Sequence, residues 1–288
     1  MEMEGDRSKL PQNVRWRIAD DMAEDILPVV NRNAKEVHLR DSVYSKYIKR
    51  LFDILIALVV LILTSPINLI IGIITFFDVG RPIFFLQERV GKDGKIFKVI
   101  KFRNMRNTVD EKGELLPASE RVTKWGKWVR RCSLDELLNF VSVLKGDMSI
   151  IGPRPLVPQY YHRYSNRHLG RYHVKPGLEC PPHTKEHAIR SWHGQFENDI
   201  WYVENLSFKT DIQMIFNLIR FTFDRRNSAI RSAAKRGDFI GYSPDGTALG
   251  IHEVPTEYVE RACREMNYPG GDPEADHGRP QSEEGELK

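Results

Sequence analysis

From Leu51 to Phe77 the chain carries a single charge, Asp53, in an otherwise apolar run. A helix rises 1.5 Å per residue and about 20 residues cross a hydrocarbon core of about 30 Å, so this run is long enough to span a bilayer. Ser65-Pro66 stands in its middle, and a proline there removes a helix bond and bends the axis. Each half is then too short to cross, since Leu51–Thr64 would extend roughly 21 Å. Lys46, Lys49 and Arg50 precede the run and Arg81, Arg89 and Lys92 follow it. Positive residues favour the cytoplasmic side, and here both ends carry them. A re-entrant helix-break-helix over 46–80 meets both constraints, its freed backbone satisfied by serine or neighbouring protein. A kinked spanning helix and a buried helix of a soluble core are the alternatives.

A second stretch carries the chemistry. Ser133–Pro155 reads SLDELLNFVSVLKGDMSIIGPRP. Ser133-x-x-Glu136 is a capping-box sequence, and Leu137, Leu138, Phe140, Val141 and Leu144 follow at helical spacing. Lys145-Gly146 stops that helix, and Pro153 and Pro155 hold Arg154 on a stiff, extended loop. A planar guanidinium on a pre-set backbone suits a phosphate. Taken alone, a capping box and a Pro-Arg-Pro loop are ordinary structure. Adjacent carboxylates followed one helix later by a rigid arginine are less so.

With KRLFD at Lys49–Asp53, Ser65-Pro66, KFRNM at Lys101–Met105 and FENDIWYVENLSF at Phe196–Phe208, this stretch closely resembles the signature of the bacterial sugar transferase family. These are small monotopic phosphoglycosyl transferases, which move a phospho-sugar from a nucleotide diphosphate-sugar onto a polyprenol phosphate. The similarity covers roughly Lys46 to Phe221. It implies the re-entrant topology, Asp135 as a nucleophile that carries the phospho-sugar, and Glu136 as a Mg²⁺ ligand. Mg²⁺ typically takes one or two carboxylates plus phosphate oxygens, which fits that assignment. The resemblance further implies Lys101, Arg130, Arg154 and Asp199 as substrate-binding residues.

The remaining chain frames these motifs. Residues 1–45 form a polar extension without an apolar signal-peptide core, in which Trp16, Ile18, Met22, Ile26 and Leu27 fit a short amphipathic helix that Pro28 follows. Residues 83–106 read as a hairpin turning at Gly91–Gly94. Trp125 and Trp128 lie among lysines and arginines in a helix suited to a membrane interface or to packing on its neighbour. After Val174–Gly177 the sequence departs from the family's usual Thr-Gly-Trp-Ala-Gln and reads Leu178–His187 instead. Cys180, His183 and His187 there have ligand-like spacing, but a structural zinc site wants four ligands. Asp211–Phe223 is amphipathic, suited to lie on the bilayer or face a core. A short helix is expected at Thr256–Met266, and disorder from Tyr268 on.

These readings give an α/β, mostly helical fold. Its parts are an N-terminal extension (1–45), a re-entrant membrane helix (46–80), a hairpin-containing cytoplasmic catalytic domain with amphipathic interfacial helices (81–224), a C-terminal extension (225–267) and a disordered tail (268–288). Three cysteines make no disulfide framework, and a net charge of +4 is too weak to argue for nucleic acid. The expected partners are a nucleotide-sugar donor (a UDP-sugar by preference), polyprenol phosphate and inner-membrane lipid, at the cytoplasmic face of a bacterial inner membrane. A homo-oligomer or glycosyltransferase partners remain open. The rival expectation is a catalytically silent membrane scaffold of a glycan-assembly complex, for which the departure at Leu178–His187 is the support.

Overall fold

A computed structural model describes residues 6–111, 113, 116, 118–184, 191–223 and 237–268. Apolar residues at helical spacing draw Gln12–Arg32 into helix α1, which buries Val14, Ile18 and Met22. The helix runs on through Pro28 rather than ending before it. Ile26, Leu27 and Val30 pack against an aromatic core, and that burial holds the last turn in place against the lost backbone bond.

Helix α2, Lys49–Val79, contains Pro66 without interruption of its helical assignment, so the expected break is not a loss of helix. The missing Pro66 N–H leaves the Ile62 carbonyl without its helical donor, and the Ser65 hydroxyl donates to it at 2.8 Å. One stripe of α2 is covered: Asp53, Ala57, Ile71 and Thr75 are buried, while large side chains such as Leu63 and Phe77 stand exposed. Both ends dock on the domain that follows. Asp53 Oδ1 accepts from the Ser149 hydroxyl and the Ile150 N–H, both at 3.0 Å, and Thr75 accepts from the Trp125 indole at 3.4 Å.

Strands β1 (Phe84–Val90) and β2 (Ile96–Phe102) form the expected antiparallel hairpin, with Phe85 opposite Lys101. Helix α3 (Lys124–Arg131) starts from Thr123, whose hydroxyl accepts from the Gly126 N–H. Helix α4 spans Asn139–Lys145 and ends at Gly146, whose φ of 98° only glycine adopts freely. Strands β3 (Ser149–Ile151) and β4 (Gly177–Glu179) then pair in parallel, Ile151 opposite Glu179. Gly152 and Gly177 make that pairing possible: a Cβ on Gly177 would lie 2.1 Å from the Gly152 nitrogen.

Helix α5 (Trp192–Glu204) supplies Phe196, Ile200 and Val203 to the core. Helix α6 (Phe208–Phe223) lies beside the start of α2, with Phe208 against Phe52 and Asp211 paired to Lys49 at 2.6 Å. Strands β5 (Phe239–Tyr242) and β6 (Ala248–Gly250) form a second antiparallel hairpin, followed by helix α7, Thr256–Glu265, close to its expected span. The two extensions meet: Ile18 and Met22 of α1 share one apolar cluster with Ile240, Val259 and Ala262. Disorder was expected from Tyr268, but Tyr268 packs against this cluster and donates its N–H to the Cys263 carbonyl at 2.8 Å; residues 269–288 lie outside the described residues.

Candidate active site

Ser133 does not cap a helix. It adopts φ 55° with no side-chain cap bond, and Leu134–Glu136 forms a 3-10 turn ahead of α4. The left-handed residue reverses the chain between α3 and this turn. The reason the capping box fails is electrostatic: the Glu136 carboxylate is drawn the other way, onto two cations. Its Oε1 accepts from Lys101 Nζ at 3.2 Å and from Arg154 Nη2 at 2.6 Å. Among the described residues Oε2 accepts no such bond.

Three elements therefore converge. Lys101 comes from β2, on the same face as Val99, which packs under α4. Arg154 comes from the Pro-flanked loop after β3. Its Nη1 reaches Glu179 Oε2 at 3.1 Å, a residue that the parallel β3–β4 pairing brings alongside. Arg89 on β1 is a third cation: its charge acts on Arg154 and on Glu136, and burial followed by Arg154 lowers its pKa. Arg130, exposed on α3, bonds neither carboxylate, although its charge biases Asp135.

Asp135 is buried, and among the described residues its carboxylate accepts from no other side chain. Burial raises its pKa above the ordinary aspartate range; Lys101 opposes this and Glu136 adds to it. Glu136 goes the other way. Burial would raise it, but Arg154 and Lys101 together hold it below the usual glutamate value. The adjacent carboxylates are thus driven apart, one free and less acidic, one fixed between cations.

Asp199 is not in this cluster. It lies buried on α5 and accepts from Arg171 Nη2 at 2.7 Å, both side chains being 1% exposed. Burial pushes its carboxyl up to about 6 against the pull of Arg171. Its link to the site is indirect, because Arg171 Nη2 also donates to the Arg154 carbonyl at 2.9 Å. Arg171 and Glu179 were not foreseen from sequence. Glu179 sits in the stretch that departs from the family pattern, which was the available signal. Cys180 and His183 both engage Asn198, and His183 stacks on Trp201; His187 lies outside the described residues.

The donor set fits Mg²⁺. Asp135 and Glu136 are chain neighbours, and among the described residues Glu136 Oε2 accepts no bond while its Oε1 is oriented by cations. Next to the site runs an apolar groove of about 960 Å³, walled by Leu69, Gly72, Ile73, Phe76, Phe102 and Leu138, with Arg81 also lining it. Phe102 and Leu138 are chain neighbours of Lys101 and of the Asp135 turn.

By length and composition the helix over Tyr44–Val79 is long and apolar enough to cross a membrane, and the chain joins it to a carboxylate pair set among cations. The chain belongs to the bacterial sugar transferase family, whose sequence model matches residues 44–225. It is 41% identical over 173 residues to the uncharacterized sugar transferase EpsL of Bacillus subtilis, covering 60% of this chain and 86% of that one. It is 34% identical over 182 residues to the UDP-N-acetylgalactosamine-undecaprenyl-phosphate N-acetylgalactosaminephosphotransferase of Aeromonas hydrophila, covering 60% of this chain and 43% of that one. To the UDP-glucose:undecaprenyl-phosphate glucose-1-phosphate transferase of Escherichia coli it is 35% identical over 187 residues, covering 60% and 39%. This chain thus spans about two fifths of the last two relatives.

Proposed function

We propose that the protein transfers a sugar 1-phosphate from a UDP-sugar to a polyprenol phosphate, giving a polyprenol diphosphate-sugar and UMP. The observation that carries this is the placement of a free, buried Asp135 beside Glu136, Lys101 and Arg154 at the edge of an apolar groove. The names of the Aeromonas and E. coli relatives support the same donor and acceptor classes. In the first step an Asp135 oxygen attacks the phosphorus that bears the sugar. The bond from that phosphorus to the UMP oxygen breaks, and UMP leaves with the electron pair. In the second step an acceptor phosphate oxygen attacks the same phosphorus and releases the Asp135 carboxylate. Glu136 would hold Mg²⁺, which when bound neutralises diphosphate charge. Lys101 and Arg154 neutralise the phosphoryl oxygens, and Arg89 and Arg130 add positive field. Asp199 acts behind them, as the anchor of Arg171.

The membrane arrangement proposed is re-entrant, with the catalytic domain on the cytoplasmic face of a bacterial inner membrane. Its support is that α2 touches the same domain near both ends, through Asp53 and Thr75, which are 22 residues and about 33 Å of helix apart. A helix leaving the domain to cross the bilayer would carry one end away from it. The groove gives the acceptor's isoprenoid chain a path from this helix to the site.

Enzyme mixed with a panel of UDP-sugars but no lipid tests the chemistry. The productive donor should release UMP in a burst no larger than the enzyme concentration, and the protein should gain the mass of a phospho-sugar. Asp135→Asn should lose both, and Glu136→Gln should fall steeply in metal-dependent turnover. UMP release only when polyprenol phosphate is present would replace the two-step route with direct transfer. No UMP from any donor would favour the silent scaffold.

A further inference from the structure

A second cluster lies on the far side of α5, away from Asp135. His193 and Glu197 are one turn apart on that helix, so their side chains share a face. His168, from the single-turn helix Asn166–Leu169, meets them there, with its Nε2 2.9 Å from Glu197 Oε1. One ligand atom from each of the three lies within 4.8 Å of the others. Tetrahedral bonds of about 2.1 Å place ligand atoms about 3.4 Å apart, so small side-chain shifts close the set on one ion.

The surroundings suit a metal. His168 is buried, and its Nδ1 already faces the Tyr242 hydroxyl at 2.8 Å, the kind of outer partner that orients a ligating imidazole. Without a metal the Nε2–H bonds Glu197; moving that proton to Nδ1, where Tyr242 can accept it, frees Nε2 with no net proton change. Arg167 engages both Glu197 oxygens; its Nε bond to Oε1 at 2.9 Å gives way to the ion, while its Nη2 contact to Oε2 at 2.7 Å persists. His193 gives up only a long bond, 3.4 Å, from the Ala248 N–H. The cluster opens on a cavity of about 400 Å³, leaving room for a water in the fourth position.

We propose that His168, His193 and Glu197 bind one Zn²⁺ ion, a two-histidine, one-carboxylate set with an open position. The cavity walls at Val29–Lys35 and Pro244–Gly246, together with Tyr242, come from the two extensions outside the matched family region. In a cavity that the extensions wall and that Tyr242 backs through His168, the ion would tie the Asn166–Leu169 turn to α5. Glu197 and Asp199 face nearly opposite sides of that helix. Zn²⁺ thus braces the helix whose other face holds Arg171 and, through it, the Arg154 backbone.

Full-length untagged protein in detergent, stripped with chelator and kept in excess Mg²⁺, is titrated with Zn²⁺ by calorimetry and with Co²⁺ by visible absorption. One equivalent of Zn²⁺ should bind at least about a hundredfold more tightly than it does to His193→Ala. The Co²⁺ bands of a four-coordinate site should disappear in the same variant. His193 is only half-buried, and a metal-free thermal melt matching the parent verifies its fold. Glu197→Gln, which keeps the side chain's shape, should reproduce the loss, whereas Glu136→Gln and Cys180→Ser should keep the tight equivalent. Zn²⁺ binding no tighter to the parent than to His193→Ala, or tight binding lost with Glu136 or Cys180 instead, overturns the proposal.

Discussion

Arg154 and Glu179 form an ion pair of 3.1 Å across the parallel β3–β4 pairing. Arg154 thereby divides its guanidinium between two carboxylates, Glu136 being the other. A diphosphate arriving at Arg154 must compete with both. Glu179 is about two fifths exposed, so its hold is modest, under about 1 kcal/mol.

Glu179→Gln should therefore lower the KM for the nucleotide-sugar about threefold with little change in kcat, which corresponds to under 1 kcal/mol. Steady-state UMP release with lipid acceptor present measures it. A KM that rises instead would show that Glu179 contacts the sugar or positions Arg154 for it.

Much of this arrangement was legible in residue order, and the part that was not has a physical reason. The long apolar helix, the hairpin and the helix at Thr256–Glu265 follow from local pattern, which periodicity and turn residues report directly. The capping box at Ser133 was misread because a local motif competes with tertiary charge: Lys101 is 35 residues from Glu136, and nothing in the local sequence announces their meeting. Pro28 was misread for the same kind of reason, since packing of Ile26 and Val30 outweighs a lost backbone bond. Asp199 was expected to bind substrate from the match of Phe196–Phe208 to the family pattern, and that pattern does not report the buried Arg171 that holds it. The docking of the two extensions on each other joins Ile18 to Val259, a separation that no window of sequence covers.

The pH dependence of the burst should reveal the state of Asp135. The nucleophile acts when ionised, so the rate is full above its pKa and falls as pH drops through it. Burial sets that pKa higher than an ordinary aspartate, and the acid limb should accordingly lie above about 3.9. Lys101 opposes the shift, so Lys101→Met should move the limb to still higher pH, besides slowing the burst. A limb that stays put in Lys101→Met would mean that the lysine acts on Glu136 alone.

The Arg171–Asp199 pair separates stability from activity. Breaking a buried pair by removing one partner typically costs about 3–5 kcal/mol, so Asp199→Leu should lower the thermal midpoint by several degrees. The double replacement Arg171→Met with Asp199→Leu removes both buried charges and should recover much of that loss. Activity should not recover with it, because the Arg154 carbonyl has lost its 2.9 Å donor. Full activity in the restabilised double variant would make the pair structural only.

Ser65 and Pro66 test the topology. The Ser65 hydroxyl supplies the Ile62 carbonyl with the donor that Pro66 withholds, which lets α2 carry a proline at its centre without an orphaned carbonyl. Reporter tags placed before Lys46 and after Phe223 should both be accessible from the cytoplasm. Changing Ser65 to Leu and Pro66 to Ala restores an ordinary apolar helix interior and removes the cause of bending. A fraction of those molecules should then convert to a spanning form, with one tag protected, and lose activity because Asp53 and Thr75 can no longer both hold the domain. Protection of one tag in the unaltered protein would instead establish a spanning helix from the start, and the contacts of Asp53 and Thr75 would need a domain that bends around a straight α2.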